Sequence, residues 1–366
     1  MTDLDIAVNI LGGDKNKVIY DDIGLPSIMV EISEEPLTLD GIQYGGDIPH
    51  PAFMVNGKRK EKIYISKYQN IVMHDRAYSL PMQVPKLNTN FKDAFSTCKK
   101  KGFGWHLMTN AEWAYLALLG HLPRGNNNSG CDYRGGERGG TKIELSDMSL
   151  GDVIFTGSGP LSFSHNGKNS GIWDLNGNIS EWVSGLRLVD GEIQIIPEND
   201  AADFTNLQDD DSDHWKAILS EGKIVAPSTA YTLKLDHDSE NMNFPVFATA
   251  IKYPQNDGNT KSTCAFKDVT ARAGIPPDIL RLLAIAPWDD KDDGYISVKN
   301  VGIRPALRGG GATDAHKAGI RALSFDELGD YSAFGFRSCY VDLLELAVIS
   351  DETGVALATE KGIITN

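Results

Sequence analysis

The stretch that decides the fold lies near the C-terminus, where residues 304–337 read RPALRGGGATDAHKAGIRALSFDELGDYSAFGFR. Its two ends, RPALRGG and GFR, form a stiff frame. The middle has neither helical nor strand periodicity and mixes small, charged and aromatic residues. A rigid frame around an irregular middle suits exchangeable side chains, which is typical of a binding surface and not of a catalytic centre.

The composition of the whole chain is that of a globular protein. Of 366 residues, 41% are hydrophobic and 23% are charged, so the chain can bury a sizeable core. The 37 glycines and 16 prolines predict many turns and few long helices. A formal net charge of −15 argues against nucleic acid as a partner, because phosphate contacts need Lys and Arg. The basic cluster at Lys58–Lys62 is interpreted as a solvated hairpin tip.

Cysteine spacing and the N-terminus exclude several further classes. The four cysteines lie far apart and form no CxxC pair, so buried free thiols are expected instead of a zinc site. The N-terminus is acidic and has no basic segment followed by an apolar run, so no signal peptide is predicted. No stretch reaches the roughly 18 apolar residues of a membrane helix, so no membrane insertion is expected. The protein is therefore expected to be made in the cytoplasm.

Two helices are predicted between residues 90 and 120. Phe91, Ala94, Phe95 and Cys98 form one apolar stripe after a capping Asn90. The second helix opens at TNAE (109–112), a capping box in which the side chains at 109 and 112 bind each other's free amides.

For the rest of the chain, the sequence predicts broad segments and one hairpin. Residues 1–48 are predicted to be a separate small β segment, serving either as an attachment or oligomerisation element or as a lid on the core. A hairpin is expected to turn at Asn56-Gly57, with strands at 53–55 and 63–65. Residues 49–342 would form the main domain, in which 186–300 is an insertion, and 343–366 would be a C-terminal tail.

Three motifs in this order resemble segments of formylglycine-generating enzymes. They are GWHLMTNAEWAYLAL (104–118), GIWDLNGNISEWVSG (171–185) and RPALRGG…GIRAL…FGFRSC (304–339). The resemblance implies an α+β, loop-rich, C-type-lectin-like fold of the formylglycine-generating-enzyme (sulfatase-modifying factor) type. That fold has a small antiparallel sheet and two main helices.

The enzyme branch of that superfamily uses a copper-binding cysteine pair just after RGG. Here residues 311–322, GATDAHKAGIRA, contain no cysteine, so the soft thiolate pair that holds Cu(I) is missing. The iron branch needs an HxxxHxE helix, and the histidines of this chain show no such spacing. We therefore expect no enzymatic activity and no copper or iron cofactor.

The segments RPALRGG, HLMTNAEW and PRGNNN resemble the variable proteins of diversity-generating retroelements, in particular those encoded by phages. In that group the segment between RGG and GFR is exposed, and its codons are rewritten where a template carries adenine. The resemblance implies that the variable, ligand-binding residues are Gly311, Thr313, Asp314, His316, Arg321, Ser324, Phe325, Asp326, Tyr331 and Ala333. An AAC codon with both adenines randomised can yield all of these, but it cannot yield Lys317 or Glu327.

Individual roles within this segment leave alternatives open. Tyr331 and Phe325 are the expected ligand anchors, since aromatic side chains give large contact areas at low entropy cost; alternatively, Phe325 packs in the core. Asp314, Asp326 and His316 would supply directional polar contacts. Arg337 is either a buried ion-pair partner or a surface residue.

A structural calcium site is the one cofactor that the resemblance suggests. Asp174, Gly177, Ile179 and Glu181 align with calcium ligands of the enzyme family, and carboxylate and carbonyl oxygens suit Ca²⁺. The alternative is that Asp174 caps a turn and Glu181 pairs with an arginine. Trp173 and Trp182 are expected in the core.

Together these features predict a non-enzymatic receptor-binding protein of a phage or prophage tail tip, or of a bacterial surface. It would bind a host cell-surface protein or glycan, and its N-terminal segment would contact other virion or tail proteins. One alternative is a formylglycine-generating-like, metal-dependent oxidase of a peptide or sulfur substrate. The other is a calcium-dependent lectin, although no EPN or QPD tripeptide lies near the calcium candidate.

Overall fold

The protein is a strand-rich α+β chain, seen in a computed structural model. The structure describes residues 2–126, 139–145, 151–238, 244–255, 261–272, 274, 276–291, 293–327 and 334–343, together with the three strands that follow.

The N-terminal part contains one helix and four strands. Helix α1 (Asp3–Gly12) begins with a capping box between Thr2 and Asp5. The strands are β1 (Asn16–Tyr20), β2 (Pro26–Ser33), β3 (Leu37–Leu39) and β4 (Ile42–Tyr44). The segment expected to be purely β therefore also contains a helix.

The next part carries six strands, a short 3-10 helix at Pro51–Phe53 and the two predicted helices, α2 (Phe91–Lys99) and α3 (Asn110–Leu118). The strands are β5 (Met54–Val55), β6 (Lys58–Arg59), β7 (Lys62–Ser66), β8 (Ile71–Met73) and β9 (Arg76–Tyr78), and β10 (Trp105–Leu107) joins the helices.

Both helix predictions are confirmed down to their caps. The Asn90 side chain accepts a hydrogen bond from the Asp93 amide, and Thr109 and Glu112 form the reciprocal capping box. The predicted hairpin is only half right. Asn56-Gly57 is the turn, with both residues at positive φ, but it joins β5 to β6. Residues 63–65 belong to β7, which pairs with β2 instead, because their apolar side chains complete a buried sheet.

Most of the regular elements in the second half of the chain are strands. These are β11 (Ser180–Val189), β12 (Glu192–Ile195), β13 (Lys216–Ile218), β14 (Ile224–Val225), β15 (Lys234–Asp238), β16 (Phe244–Ala248), β17 (Ser262–Ala265), β18 (Thr270–Ala271), β19 (Tyr295–Val298), β20 (Ile303–Gly309), β21 (Gly319–Phe325), β22 (Phe334–Phe336) and β23 (Ser338–Tyr340). A short helix, α4 (Asp278–Leu282), lies between β18 and β19, and 3-10 turns occur at Leu161–Phe163, Asp200–Ala202, Phe266–Asp268 and Ala315–Lys317. The predicted tail contains β24 (Leu346–Asp351), β25 (Gly354–Thr359) and β26 (Gly362–Ile364), which form a three-stranded antiparallel sheet.

Two large sheets organise the described chain. One has five strands in the order β1-β2-β7-β23-β10. The other has twelve strands, with a central path β17-β19-β21-β20-β11-β12-β15-β16-β18. The main sheet is therefore larger than the small sheet expected. It is also not purely antiparallel, since β11–β22, β16–β18 and β19–β21 are parallel pairs.

The sheets show how the expected segments are connected. Residues 1–48 do not form a separate sheet, because β2 is hydrogen-bonded to β7. The segment 186–300, predicted to be an insertion or elaboration on the core, contributes strands β12 to β19 to the twelve-stranded sheet around β11 and β20. The core lies between one face of this sheet and helices α3 and α4. Within the described residues, no helix is both long enough and apolar enough to cross a membrane.

Candidate ligand-binding site

The frame of the RGG segment is a β-hairpin, β20–β21, joined by residues 310–318. Gly309 and Gly310 have φ values of 84° and 72°, and a Cβ on Gly310 would lie 2.7 Å from the Ala318 Cα, so glycine is required there. Arg308 is buried and bonds to Asn110 of α3, which fastens the hairpin to the core. The prediction that RGG is structural frame therefore agrees with these contacts.

Strand alternation divides the central strands into an inner and an outer row. Cys264, Ile296 and Leu323 pair across β17, β19 and β21 and are buried in the main core. One residue along, Thr263, Ser297 and Ser324 pair in the same way, and all three are partly exposed. Because successive side chains of a strand point to opposite faces, these hydroxyls form a polar row on the outer face.

A cavity of about 300 Å³ lies over this outer row. Its described lining residues are Ser180, Lys261, Thr263, Tyr295, Ser297, Leu307, Arg308, Gly310, Asp314, Lys317, Ala322, Leu323, Ser324, Asp326 and Phe334. We call this cavity the sheet-face pocket. Arg308 and Leu323 contribute to its lining, but their side chains point to the opposite face, toward α3 and the core.

The charged groups of the sheet-face pocket are of both signs. Lys261 forms an ion pair with Asp326, and Asp314 accepts a hydrogen bond from the Gly311 amide at 2.7 Å. The Lys317 side chain is exposed and forms no ion pair with any described residue. The pocket therefore offers donors and acceptors without a large net charge.

Three predicted variable residues, Asp314, Ser324 and Asp326, line this pocket. The His316 ring packs against the ring of Tyr295, a lining residue, at 5.1 Å between centroids. Thr313 is exposed in the loop.

Gly311 is buried and lies near Asp314 and Ser180, so its contribution to a ligand site would come through its backbone. Tyr331 and Ala333 lie outside the described residues, and their predicted roles stay predictions.

Two predicted ligand-binding residues are not on the surface. Phe325 is fully buried in the main core, opposite Ala306, so the expected ligand anchor is a core residue. Arg321 is also fully buried, stacks over the Trp288 ring at 4.3 Å and pairs with Asp289. The physical reason is that residues 319–325 form a strand, in which Arg321, Leu323 and Phe325 share the inner face.

Five of the fifteen lining residues lie outside the RGG–GFR segment, and the sequence did not indicate them. Lys261 immediately precedes β17, and Thr263 belongs to it. Tyr295 and Ser297 belong to β19. All four residues lie within the segment 186–300 that is predicted to be an insertion. The alternation of Ile296 and Val298 with Tyr295 and Ser297 could have identified β19 as a strand with one polar face, whereas residues 261–265, KSTCA, show no alternation. It could not have shown that both strands pair beside β21.

A second polar cluster, fully buried, includes two of the predicted calcium ligands. The Arg337 guanidinium donates to both carboxylate oxygens of Glu181, at 2.6 Å to Oε2 and 2.5 Å to Oε1, and Gln69 donates to Oε1 at 3.0 Å. Gln69 also donates to the Ile179 and Asp174 carbonyls. We call these residues the Arg337 cluster.

In the structure these residues are bound to protein groups, and the calcium site stays a prediction. The cationic partner of Glu181 is Arg337, and the Ile179 carbonyl already accepts a hydrogen bond. Asp174, at φ 63°, accepts a hydrogen bond from the Gly157 amide through Oδ2. The backbone amide of Gly177 donates to the Gly309 carbonyl, so this turn supports the RGG frame. The alternative interpretation, a turn-capping Asp174 and a Glu181–arginine pair, is the one that these contacts favour, and Arg337 is a buried ion-pair partner.

Asp174 differs from Glu181 in lacking a neutralising partner. Its side chain is buried, and Oδ1 has no hydrogen-bond partner within the described chain. Burial raises the pKa of Asp174 to about 6, and the neighbouring Glu181 adds to the increase, although the Gly157 amide and Arg337 act in the opposite direction. The carboxyl group is therefore poised to be protonated at mildly acidic pH.

Histidine, carboxylate and thiol groups come together at one other place among the described residues. Ligand-type atoms of His106, Glu112 and Cys339 lie within 4.8 Å of one another, all buried. The Glu112 carboxylate is hydrogen-bonded to His106, at 2.9 Å between Oε1 and Nε2. It also accepts hydrogen bonds from the Thr109 backbone amide and the Asn199 side-chain amide. Burial opposes ionisation of Glu112, but His106 and these hydrogen bonds outweigh it and lower its pKa. The arrangement ties β10, α3 and β23 together as an internal network.

A cavity of similar volume, about 310 Å³, lies between α2, β11 and β20. Its lining is largely apolar and includes Phe91, Phe95, Leu207 and Trp215. Arg187, the buried cation at its edge, already bonds to Gln194 and to the carbonyls of residues 209 and 210. The sheet-face pocket is therefore the better candidate, because it combines the predicted residues with polar groups that lack protein partners.

Comparison with known proteins adds no family assignment. The sequence matches no model of a known protein family, and a search of curated proteins found no similar sequence. The functional argument therefore depends on the site itself.

Proposed function

We propose that this chain is a non-enzymatic ligand-binding protein whose sheet-face pocket is the recognition site, with a diversified half contributed by residues 311–334. The observation that carries the proposal is the pocket's construction. Residues from the RGG–GFR segment and residues from β17 and β19 meet around one cavity of about 300 Å³. That volume is at the lower end of the range typical of ligand sites, roughly 300–1,000 Å³.

The state of the cysteines supports binding over the oxidase alternative. Cys98, Cys264 and Cys339 are buried, and burial raises the pKa of each thiol, to about 12 for Cys264. Cys264 is next to Thr263 but points to the core, away from the pocket. A thiolate at the pocket, which soft-metal or nucleophilic chemistry would use, is not offered by the described lining residues.

The expected partner is a molecule on a host cell surface, and the expected location is a phage tail tip or a bacterial surface. Helix α1 favours attachment through the N-terminus. Its Ile10 and Leu11 side chains are 77% and 70% exposed, which is unusual for large apolar residues and typical of a surface that another protein covers. Several copies on one particle would convert weak single-site binding into strong attachment.

A pocket-filling variant tests the proposal. Wild-type protein immobilised on fluorescent beads is expected to adhere to some strains in a panel of bacteria. Ser324→Trp should abolish that adhesion with little change in melting temperature, because Ser324 lies on the outer face of β21. Adhesion that survives this substitution in a folded protein would place recognition elsewhere.

The genomic neighbourhood tests the diversification. We expect a reverse-transcriptase gene and a near-copy of the codons for residues 304–337 beside the gene. A locus that lacks both would contradict the proposed diversification. It would not affect the proposed binding by the pocket, which the adhesion experiment tests.

A further inference from the structure

The floor of the sheet-face pocket is a row of hydroxyl groups. Thr263, Ser297 and Ser324 occupy paired positions on three adjacent strands, and the Thr263 and Ser297 hydroxyls lie 3.1 Å apart. Each hydroxyl can donate one hydrogen bond and accept two, so the row suits a ligand that also both donates and accepts. Ligand hydroxyl groups have this property, whereas carboxylates and phosphates only accept.

Two hydroxyls of the pocket have no hydrogen-bond partner among the described residues. The side chains of Ser180, the first residue of β11, and Ser324 form no hydrogen bond with any residue that the structure describes. Both face the same cavity as the paired hydroxyls. The pocket therefore presents hydrogen-bonding capacity that the protein itself does not use.

The formal charges of the pocket side chains on the outer face of the sheet balance. Its two lysines, Lys261 and Lys317, are matched by two aspartates, Asp314 and Asp326, and Arg308 points to the other face of the sheet. A net-charged ligand would gain little from such a lining, since each attraction is offset by a like-charge contact of similar size. The lining therefore favours an uncharged ligand, to whose hydroxyls the carboxylates and ammonium groups can bind.

One side of the pocket is apolar. Leu307, Ala322 and Phe334 line it together with the ring of Tyr295. A sugar ring has the matching character, because its C–H groups form an apolar face and its hydroxyls project from the edge.

From these features we infer that the sheet-face pocket binds an uncharged saccharide. The inference rests on the proposed binding function and narrows its ligand. Thr263, Ser297 and Tyr295, which lie outside the RGG–GFR segment, would bind a part of the saccharide that stays constant. Asp314, Ser324 and Asp326, which lie inside it, would bind the part that differs between ligands.

A glycan microarray probed with the biotinylated full-length chain on tetravalent streptavidin is the first test. We expect binding to neutral glycans that is unchanged between 50 and 500 mM NaCl, since charge screening has no net attraction to weaken. An array without binding, or binding only to sialylated or uronate-containing glycans, overturns the inference.

Matched variants connect the array result to the pocket. With a soluble form of the bound neutral glycan as titrant, Thr263→Val and Ser324→Ala should each weaken binding by roughly two- to tenfold, because each removes one hydrogen bond. Ser220→Ala, in an exposed turn that does not line the pocket, should bind like wild type. Unchanged affinity in both pocket variants would assign the glycan to another site.

The failure of this inference is distinguishable from the failure of the proposed function. If the array is blank while Ser324→Trp abolishes adhesion to bacteria, the pocket is a recognition site and the saccharide assignment is wrong. If folded Ser324→Trp protein adheres like wild type, the recognition site itself is wrong.

Discussion

The Arg337 cluster and the sheet-face pocket contain similar residue types but satisfy them in opposite ways. In the Arg337 cluster, Glu181, Gln69 and Arg337 are buried and bind one another. In the pocket, Ser180 and Ser324 have hydroxyls without partners in the described chain, and Lys317 is left without an ion pair. The comparison teaches that residue types alone do not identify a ligand site. A ligand site is identified by accessible polar groups that the protein itself does not use as hydrogen-bond or ion-pair partners.

The largest expected effect comes from breaking the buried ion pair. Arg337→Met leaves Glu181 charged and unpaired in the interior, which typically costs about 3–5 kcal/mol of folding free energy. Urea denaturation of the variant measures it. The double variant Arg337→Met/Glu181→Leu should lose less stability than the single one, because it removes the stranded charge. Loss of less than about 1 kcal/mol in the single variant would mean that the cluster is not structural.

The next effect separates the two faces of β21. Phe325→Ala creates a core cavity and should cost about 3–5 kcal/mol, whereas Ser324→Ala on the outer face should change stability by about 0.5 kcal/mol or less. Thermal and urea unfolding of the two neighbours gives a matched comparison. If both substitutions changed the stability equally and by little, Phe325 would be an exposed residue and a candidate ligand anchor.

A smaller effect is the pH dependence contributed by Asp174. Its pKa is raised from 3.8 to about 6 in the folded protein, so between these values the native state holds a proton that the unfolded chain has lost. The stabilising contribution is therefore complete below about pH 4 and is lost as the pH rises through 6. It amounts to about 3 kcal/mol, at 1.36 kcal/mol per pH unit. Asp174→Asn lacks this dependence, so urea denaturation should show the wild type losing stability relative to the variant as the pH rises from about 4 to 6. A wild-type curve that instead gains stability relative to Asp174→Asn over this range contradicts the assignment.

The smallest expected effect is that of calcium on stability. Since Glu181 is bound to Arg337, millimolar Ca²⁺ or EDTA should leave the melting temperature unchanged. Differential scanning fluorimetry measures this directly. A rise in melting temperature with Ca²⁺ that is lost in Asp174→Asn would re-establish the calcium site.

The sequence alone determined the features that depend on neighbours along the chain. The cap at Asn90, the capping box at Thr109–Glu112 and the turn at Asn56-Gly57 were all predictable, because each depends on residues within about one helical turn. The sequence also shows directly that residues 311–322 contain no cysteine and that glycines occupy the RGG positions.

Only the tertiary structure decided which face of β21 is buried, which cation pairs with Glu181 and which strands complete the pocket. Thr263, Ser297 and Ser324 are brought together by pairing between strands far apart in the chain, and Glu181 and Arg337 are 156 positions apart. No local pattern encodes such pairings. They follow from burying the apolar faces of the strands all at once, so the side chains left on the outer face become a site only when the whole sheet has formed.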